Sequence, residues 1–539
     1  MTVLTPATGP NSPGYAANRA AMLERIAEHE AARARVLAHS ERARPRIEAR
    51  GRLMPRDRLA RLLDPGTPFV ELSPLAGLGM HDDDGQDSAA GGGCIAGLGH
   101  VSGVRVAVFA HDSAIKGGAI TPAGLKKLLR LHEIVEANRL PIVTLAESAG
   151  ANLRYQSEMF VEGGRIFANQ CRLSAAGLPQ VTVVHGSSTA GGAYLPGLSD
   201  HVIAVRDHAA IYLAGPPLLK AATGEIAGHA ELGGAEMHAE VSGLVDYLAE
   251  DDADGIRIAR EVVADLGWDP AAATAPPRPP RPPRHDPDGL CGVIPPDTRQ
   301  PWDMHEALAR LLDDSRFLPF KPDFGPLLLC GTGHMGGWPL GIVANNGPIH
   351  AEAAQKAAQF IQSCAQVGRP ILYLMNTPGY MVGVEAERAG IIKHGSKMLQ
   401  AIANAGVPQF TIVAGGGFGA GYYGMCGRCF DPRFVFAWPN ARVSVMGGEQ
   451  AGRVLRTIGE EAAERRGETP DHPRLQALEQ RTAAQIEAES TALFATARLW
   501  DDGIIDPRDT RWLLIELLTL AAAGAARRPR QTSFGVARM

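Results

Sequence analysis

The chain repeats itself, and this constrains its fold more than any other feature. Ala176-Gly177-Leu178-Pro179-Gln180-Val181-Thr182-Val183-Val184 recurs 229 positions later as Ala405-Gly406-Val407-Pro408-Gln409-Phe410-Thr411-Ile412-Val413. Thr144-Leu145-Ala146-Glu147-Ser148-Ala149-Gly150 returns at the same spacing as Tyr373-Leu374-Met375-Asn376-Thr377-Pro378-Gly379. Gly97-Leu98-Gly99-His100 returns 234 positions on as Gly331-Thr332-Gly333-His334. Downstream, each copy enters a glycine loop: Ala190-Gly191-Gly192-Ala193-Tyr194 in the first and Gly419-Ala420-Gly421-Tyr422 in the second. Matches in one order at nearly one offset mark a duplicated domain, not a short-period solenoid. A chain of 539 residues is long enough for two such domains, each with its own core.

The boundary between the copies is legible. Pro276-Pro277-Arg278-Pro279-Pro280-Arg281-Pro282-Pro283-Arg284 can form neither helix nor ladder and predicts an extended spacer. The expected organisation is a helical segment over residues 1–50, a first domain over 51–270, a linker over 271–289 and a second domain over 290–539. Within the copies, β-rich runs (105–110, 141–145, 181–184) alternate with helical stretches (126–138, 354–367). That alternation predicts an α/β fold with parallel sheets crossed by helices.

Composition excludes several classes. A net charge of −5 gives no electrostatic reason for nucleic acid or an anionic membrane as partner. The seven cysteines are scattered and odd in number, the usage of a reducing compartment, so the expected location is cytoplasmic. Cys426 and Cys429 form one C-x-x-C without a second pair nearby, and no metal site is expected. The first residues carry no signal-peptide pattern. The longest apolar stretch, 513–526, is interrupted by Glu516 and is shorter than the roughly 20 residues of a membrane span.

The chemistry is expected where strands end in glycine. Gly186-Ser187-Ser188-Thr189-Ala190-Gly191-Gly192-Ala193 and Gly415-Gly416-Gly417-Phe418-Gly419-Ala420-Gly421 let backbone amides approach a ligand closely. If a helix follows, its first amides carry partial positive charge towards that ligand, which serves a phosphate or a developing oxyanion. Neither loop has the spacing of a P-loop or of a dinucleotide fingerprint. No Gly-x-Ser-x-Gly is present and no Ser/His/Asp set stands out. Two oxyanion loops without a nucleophile point to enolate chemistry, in which a stabilised carbanion of the substrate attacks.

These residues resemble the carboxyltransferase (β) subunits of biotin-dependent acyl-CoA carboxylases, over nearly the whole chain. The stretches that carry the resemblance are Arg61-Leu62-Leu63-Asp64-Pro65-Gly66, residues 186–196, Ala214-Gly215-Pro216-Pro217-Leu218-Leu219-Lys220, Tyr423-Gly424-Met425-Cys426-Gly427-Arg428 and Val445-Met446-Gly447-Gly448-Glu449-Gln450. The resemblance implies two tandem crotonase-like (ClpP/crotonase) domains, the first binding acyl-CoA and the second carboxybiotin. It implies active sites built between the first domain of one subunit and the second of another, in a homohexamer. Gly191 and Gly192 would donate amides to the thioester enolate, and Gly419 and Ala420 to the biotin ureido oxygen, with biotin itself as base. Ala190, Ala193 and Tyr194 would line the acyl side, and Gly417, Phe418, Gly421 and Tyr422 the biotin side. Lys126 and Lys127 resemble the coenzyme A phosphate contacts. Glu147 and Glu225 are expected in structural hydrogen bonding, as are His111, His238 and His394.

The chain shows no Ala-Met-Lys-Met or Glu-Ala-Met-Lys biotinylation site and no glycine-rich ATP-grasp segment. Biotin is therefore expected on a partner, a biotin carboxylase/biotin carrier α subunit, with a coenzyme A thioester as substrate. Within the family the chain is similar to the branch acting on β-methyl enoyl-CoAs, which holds 3-methylcrotonyl-CoA and geranyl-CoA carboxylases. Residues 389–398 and 247–255 lean to the geranyl side. Gly163 does so too, standing where methylcrotonyl enzymes place a phenylalanine. The alternatives are a 3-methylcrotonyl-CoA carboxylase β subunit and a decarboxylase subunit of the same fold. Gly417-Phe418 in place of Ser-Tyr, Tyr422 in place of Asn and Pro378 in place of Thr depart from the branch, all on the biotin side.

Overall fold

Runs of β-branched and aliphatic residues with no polar alternation are stable only when both faces of a strand are covered, as in a parallel sheet flanked by helices. Both copies obey this. The computed structural model describes residues 1–84, 88–268, 275–297 and 299–536. In the first repeat, the strands Ile142–Ser148 and Gln180–Thr189 pair in parallel, and Val104–His111 and His201–Val205 flank them, also in parallel. The outer strands Cys94–Val101 and Val70–Glu71 are antiparallel. Ile371–Thr377, Gln409–Phe418, Trp338–Asn345 and Phe434–Ala437 form the equivalent parallel core in the second repeat. Each sheet has eight strands among the described residues.

The duplication holds to the level of single pairings. Ile142 faces Gln180 and Ile371 faces Gln409, each 229 positions apart. Both central pairs slip register at the same place, between Ala146 and Ser148 in the first copy and between Met375 and Thr377 in the second. The mixed α/β class and the tandem arrangement expected from the sequence are therefore present. Val143, Val181, Val183, Ile203 and Val205 fill the first core, and Ile371, Tyr373, Val413, Val435 and Ile361 the second.

The chain divides into two compact units that are not contiguous in sequence. One comprises Met1–Glu30, Ala275–Thr496 and Trp500–Thr519; the other comprises Ala31–Thr274, Ala497–Leu499 and Leu520–Met539. In the first of these, the strand Thr2–Val3 pairs antiparallel with Arg316–Pro319. In the other, the C-terminal tail returns to the first repeat, where the Thr532 amide donates to the Ala175 carbonyl at 2.8 Å. The expected boundary at 270/271 and the first four residues of the expected linker lie outside the described residues. Residues 275–286 carry neither helix nor strand. Among the described residues no helix is long and apolar enough to cross a membrane, and no group of three potential metal ligands occurs.

Candidate active site

The first loop begins where Gln180–Thr189 ends. Ala190–Ala193 forms a single 3-10 turn that runs into the short helix Tyr194–Gly197, so the amides of Gly191 and Gly192 sit in a first turn without intrahelical acceptors. Ala190 takes a left-handed φ of 54°, which turns the chain sharply out of the sheet. A Cβ on Gly192 would lie 3.0 Å from Ser148 Oγ, so a side chain there would press on the neighbouring strand. The Ser188 hydroxyl fastens the turn from below by donating to the Gly192 carbonyl at 2.9 Å. Ala193 is buried, whereas Ala190 and Tyr194 are exposed.

The second loop repeats the device. Gln409–Phe418 runs into the helix Gly419–Gly424, and Gly419 has a φ of 52°, matching Ala190 at the same offset of 229. A Cβ on Gly419 would lie 2.9 Å from the Val445 carbonyl. In this register Gly191 corresponds to Ala420 and Gly192 to Gly421, so the expected donor pairs 191/192 and 419/420 are staggered by one residue. Ala420 is exposed and Gly421 buried against Gly379. Gly417 packs on Met375 and on the Tyr422 ring, and the Phe418 ring covers Gly416. Tyr422 is buried, donates its hydroxyl to the Trp500 carbonyl at 3.1 Å and accepts from the Arg428 amide at 3.0 Å. Its ring also fills the space that a side chain at Gly427 would need. Tyr422 thus holds the floor of the loop instead of facing outward.

Gly163 lies in the middle of the helix Gln156–Ala175, half-buried, and a Cβ there would meet nothing. One turn on, Phe167 comes within 3.7 Å of the Cβ position of Gly191, and its ring centre is 5.0 Å from that of Tyr194. Gly163 therefore opens on the same side as the first loop. Phe160 and Val161, just before it, are 82% and 75% exposed.

The two lysines separate cleanly. Lys126 is exposed on the helix Pro122–Asn138, which packs against the helix carrying Gly163. Lys127 is 2% exposed and donates to the carbonyls of Gly91 at 3.3 Å and Cys94 at 2.9 Å. Burial pulls its ammonium below the usual lysine range. The second copy has the same arrangement at the same offset: Lys356, 1% exposed, donates to the carbonyls of Lys321 and Gly325. Lys356 stands 229 positions after Lys127, the offset of the repeat, so the sequence carries this correspondence too. Replacing Lys127 by Met should cost about 1–3 kcal/mol of stability, by orphaning two buried carbonyls. Replacing the exposed Lys126 by Ala breaks no buried contact and should leave the melting temperature close to wild type. Thermal melting of both variants checks this.

Of the remaining candidates, His238, His394 and Glu147 make the side-chain contacts expected of them. His238 contacts Ser242 Oγ and the Ile211 carbonyl, each at 2.7 Å, and His394 contacts Lys397 at 3.3 Å. Burial lowers the His111 pKa to about 4. Glu225 is exposed. Glu147 is buried and paired with Arg58 at 2.6 Å and Arg52 at 2.8 Å.

The carboxyl transferase domain model matches residues 46–534, nearly the whole chain. The chain belongs to the carboxyl transferase family. A probable biotin-dependent acyl-coenzyme A carboxylase beta2 subunit of Mycobacterium tuberculosis is 45% identical to it over 537 residues, covering 98% of this chain and 99% of the relative. The 3-methylcrotonyl-coenzyme A carboxylase beta1 subunit of the same organism is 46% identical over 516 residues, 94% of this chain and 95% of the relative. The crystal structure of the P. aeruginosa geranyl-CoA carboxylase beta subunit superposes with a TM-score of 0.93 at 54% identity, with all of both chains covered. The chain is thus an enzyme subunit of the carboxyltransferase type, in a family of biotin-dependent acyl-CoA carboxylases.

Proposed function

We propose that this carboxyl transferase subunit carries CO2 from carboxybiotin to the γ-carbon of a β-methyl enoyl-CoA of geranyl size. The observation that carries the choice of substrate is Gly163, a glycine in mid-helix whose Cβ direction is open and whose helix flanks the first oxyanion loop. The 54% identity to a geranyl-CoA carboxylase beta subunit supports it.

In this reading residues 51–270 form the acyl-CoA side and 290–539 the biotin side, joined by the linker 271–289. The amides of Gly191 and Gly192 hold the negative charge of the thioester enolate, with Ala190, Ala193 and Tyr194 around the acyl group. Lys126 meets the coenzyme A phosphates. Carboxybiotin, brought by a biotin carboxylase/biotin carrier subunit, supplies the carboxyl group, and its ureido nitrogen supplies the base. The second loop fits such a group: Gly419 exposes first-turn amides beside Ala420, and Tyr423 and Val445, 44% and 70% exposed, offer apolar surface next to them. The amides of Gly419 and Ala420 hold charge at the ureido oxygen, while Gly417, Phe418, Gly421 and Tyr422 shape the loop. The working assembly is a homohexamer in which one copy's first domain completes another's second. All seven cysteines are free, which fits a cytoplasmic, reducing setting.

The purified chain should carry no covalent biotin and show no ATP-dependent carboxylation by itself. Streptavidin blotting and a labelled-bicarbonate assay with and without the partner subunit check this. A biotinylated band from this polypeptide would contradict the division of labour.

A further inference from the structure

The register slip beside the first oxyanion loop is held by a buried ionic chain. Ala146 pairs with Val184, but the next pairing is Ser148 with Ser188. Glu147 on one strand therefore stands opposite three bulged residues, His185, Gly186 and Ser187, on the other. A bulge gives up ladder hydrogen bonds, so other contacts must fix its shape. Here His185 Nδ1 lies 2.7 Å from Asp252 Oδ1, and Arg58 Nε donates to Asp252 Oδ2 at 3.0 Å. Arg58 Nη1 donates to Glu147 Oε2 at 2.6 Å, Arg52 Nη1 to Glu147 Oε1 at 2.8 Å, and the Ser113 hydroxyl to Glu147 Oε2 at 2.9 Å. The Leu53 amide donates to Asp252 at 2.7 Å.

Both bulged strands are thus tied to one guanidinium. Arg58 is 1% exposed, Asp252 2% and His185 fully buried. Burial would raise the Glu147 carboxyl, but Arg58, then Arg52 and Ser113, outweigh it and hold it below the usual carboxylate range. Gly186 leaves room for the carboxylate: a Cβ there would lie 2.7 Å from Glu147 Oε1. The residue after Glu147 is Ser148, whose hydroxyl lies under Gly192. The second copy solves the same slip without charge. Asn376 stands at the position of Glu147 and accepts from the Gly416 amide at 3.0 Å, and Ala414 stands at that of His185.

We propose that Glu147, Arg58, Asp252 and His185 are positioning residues for the first oxyanion loop, acting through the bulge and Ser148 on the amide of Gly192. All four are buried. The inference rests on the carboxyltransferase reading and adds a role for charges that the chemistry itself does not use. Loss of the Glu147 charge leaves Arg52 without its carboxylate and Arg58 with Asp252 alone, which frees the bulge, so the donors drift from the enolate oxygen. A displacement on the order of 1 Å costs about 100-fold in rate.

The test uses the chain assembled with its biotin-carrying partner and assayed with geranyl-CoA. Glu147→Gln should lower kcat by about 10- to 100-fold with KM changed less than about twofold, because substrate binding does not depend on the enolate contact. Ser148→Ala, which keeps every charge, should show the same split; it leaves the Gly150 amide without the hydroxyl that accepts from it at 3.2 Å, a stability cost of about 1–3 kcal/mol. It carries the test if Glu147→Gln does not fold. Arg260→Gln breaks an ion pair to Asp64 elsewhere in the same unit, at 2.8 Å, and should lose stability without loss of kcat. Wild-type kcat in folded Glu147→Gln or in Ser148→Ala would overturn the inference. So would a loss carried by KM, or an equal kcat loss in Arg260→Gln. Inactive wild-type protein would overturn the functional reading, and this inference with it; active wild type with unaffected variants would overturn this inference alone.

Discussion

Gly163→Phe should abolish carboxylation of geranyl-CoA and spare that of 3-methylcrotonyl-CoA. The geranyl chain is longer by about five carbons, and burying each contributes on the order of 0.8 kcal/mol. The tail therefore has about 4 kcal/mol at stake, and blocking its path should cost at least about 100-fold in kcat/KM, which is about 2.7 kcal/mol. The variant should fold well. A Cβ at 163 meets no atom, and phenylalanine is a better helix former than glycine by about 0.5 kcal/mol. A phenylalanine ring there fills the space the long tail needs, whereas the open site of the glycine still admits a short chain with weaker affinity. Wild type should therefore prefer the long substrate and retain some activity on the short one. Parallel kinetics on the two thioesters check this; equal loss of both activities, or of neither, would sink the pocket-depth account.

Valine at Gly192 or Gly419 should lower kcat by about 10²–10³, the cost of one oxyanion donor. At Gly192 the new side chain meets Ser148 Oγ at 3.0 Å and lifts the turn off the strand. At Gly419 it meets the Val445 carbonyl at 2.9 Å and is forced into a left-handed φ of 52°. That conformation costs about 1–2 kcal/mol for an L-residue. It is survivable, since Ala190 holds the same conformation in the first copy. The protein should fold with a modestly lowered melting temperature and turn over slowly. Near-normal turnover of folded Gly419→Val would remove the second oxyanion loop from the mechanism.

The α/β class, the duplication and both loops were legible because each is local. A strand ending in glycines reads the same from sequence as from structure. Three things were hidden for physical reasons. The strand Thr2–Val3 and the tail after residue 520 add to units far away in sequence, and nothing local encodes such a pairing. Arg58 sits in the helix Pro55–Leu62 among charged neighbours, so it reads as a solvated face, yet it is buried because two carboxylates wait for it. Lys127 reads as a companion of Lys126, although adjacent residues on a helix point about 100° apart, which turns one to solvent and the other into the sheet. The departure at Tyr422 becomes intelligible only in three dimensions, where its ring occupies the space left by Gly417 and Gly427.

The measurement that bears most directly on the central claim is a panel of acyl-CoAs. The chain is combined with its biotin carboxylase/biotin carrier partner, ATP and labelled bicarbonate. Label should enter geranyl-CoA fastest, 3-methylcrotonyl-CoA more slowly and acetyl-CoA or propionyl-CoA scarcely at all, and only with both proteins present. Label entering propionyl-CoA in preference to both branched enoyl-CoAs, or no label in any thioester from an intact assembly, would contradict the account.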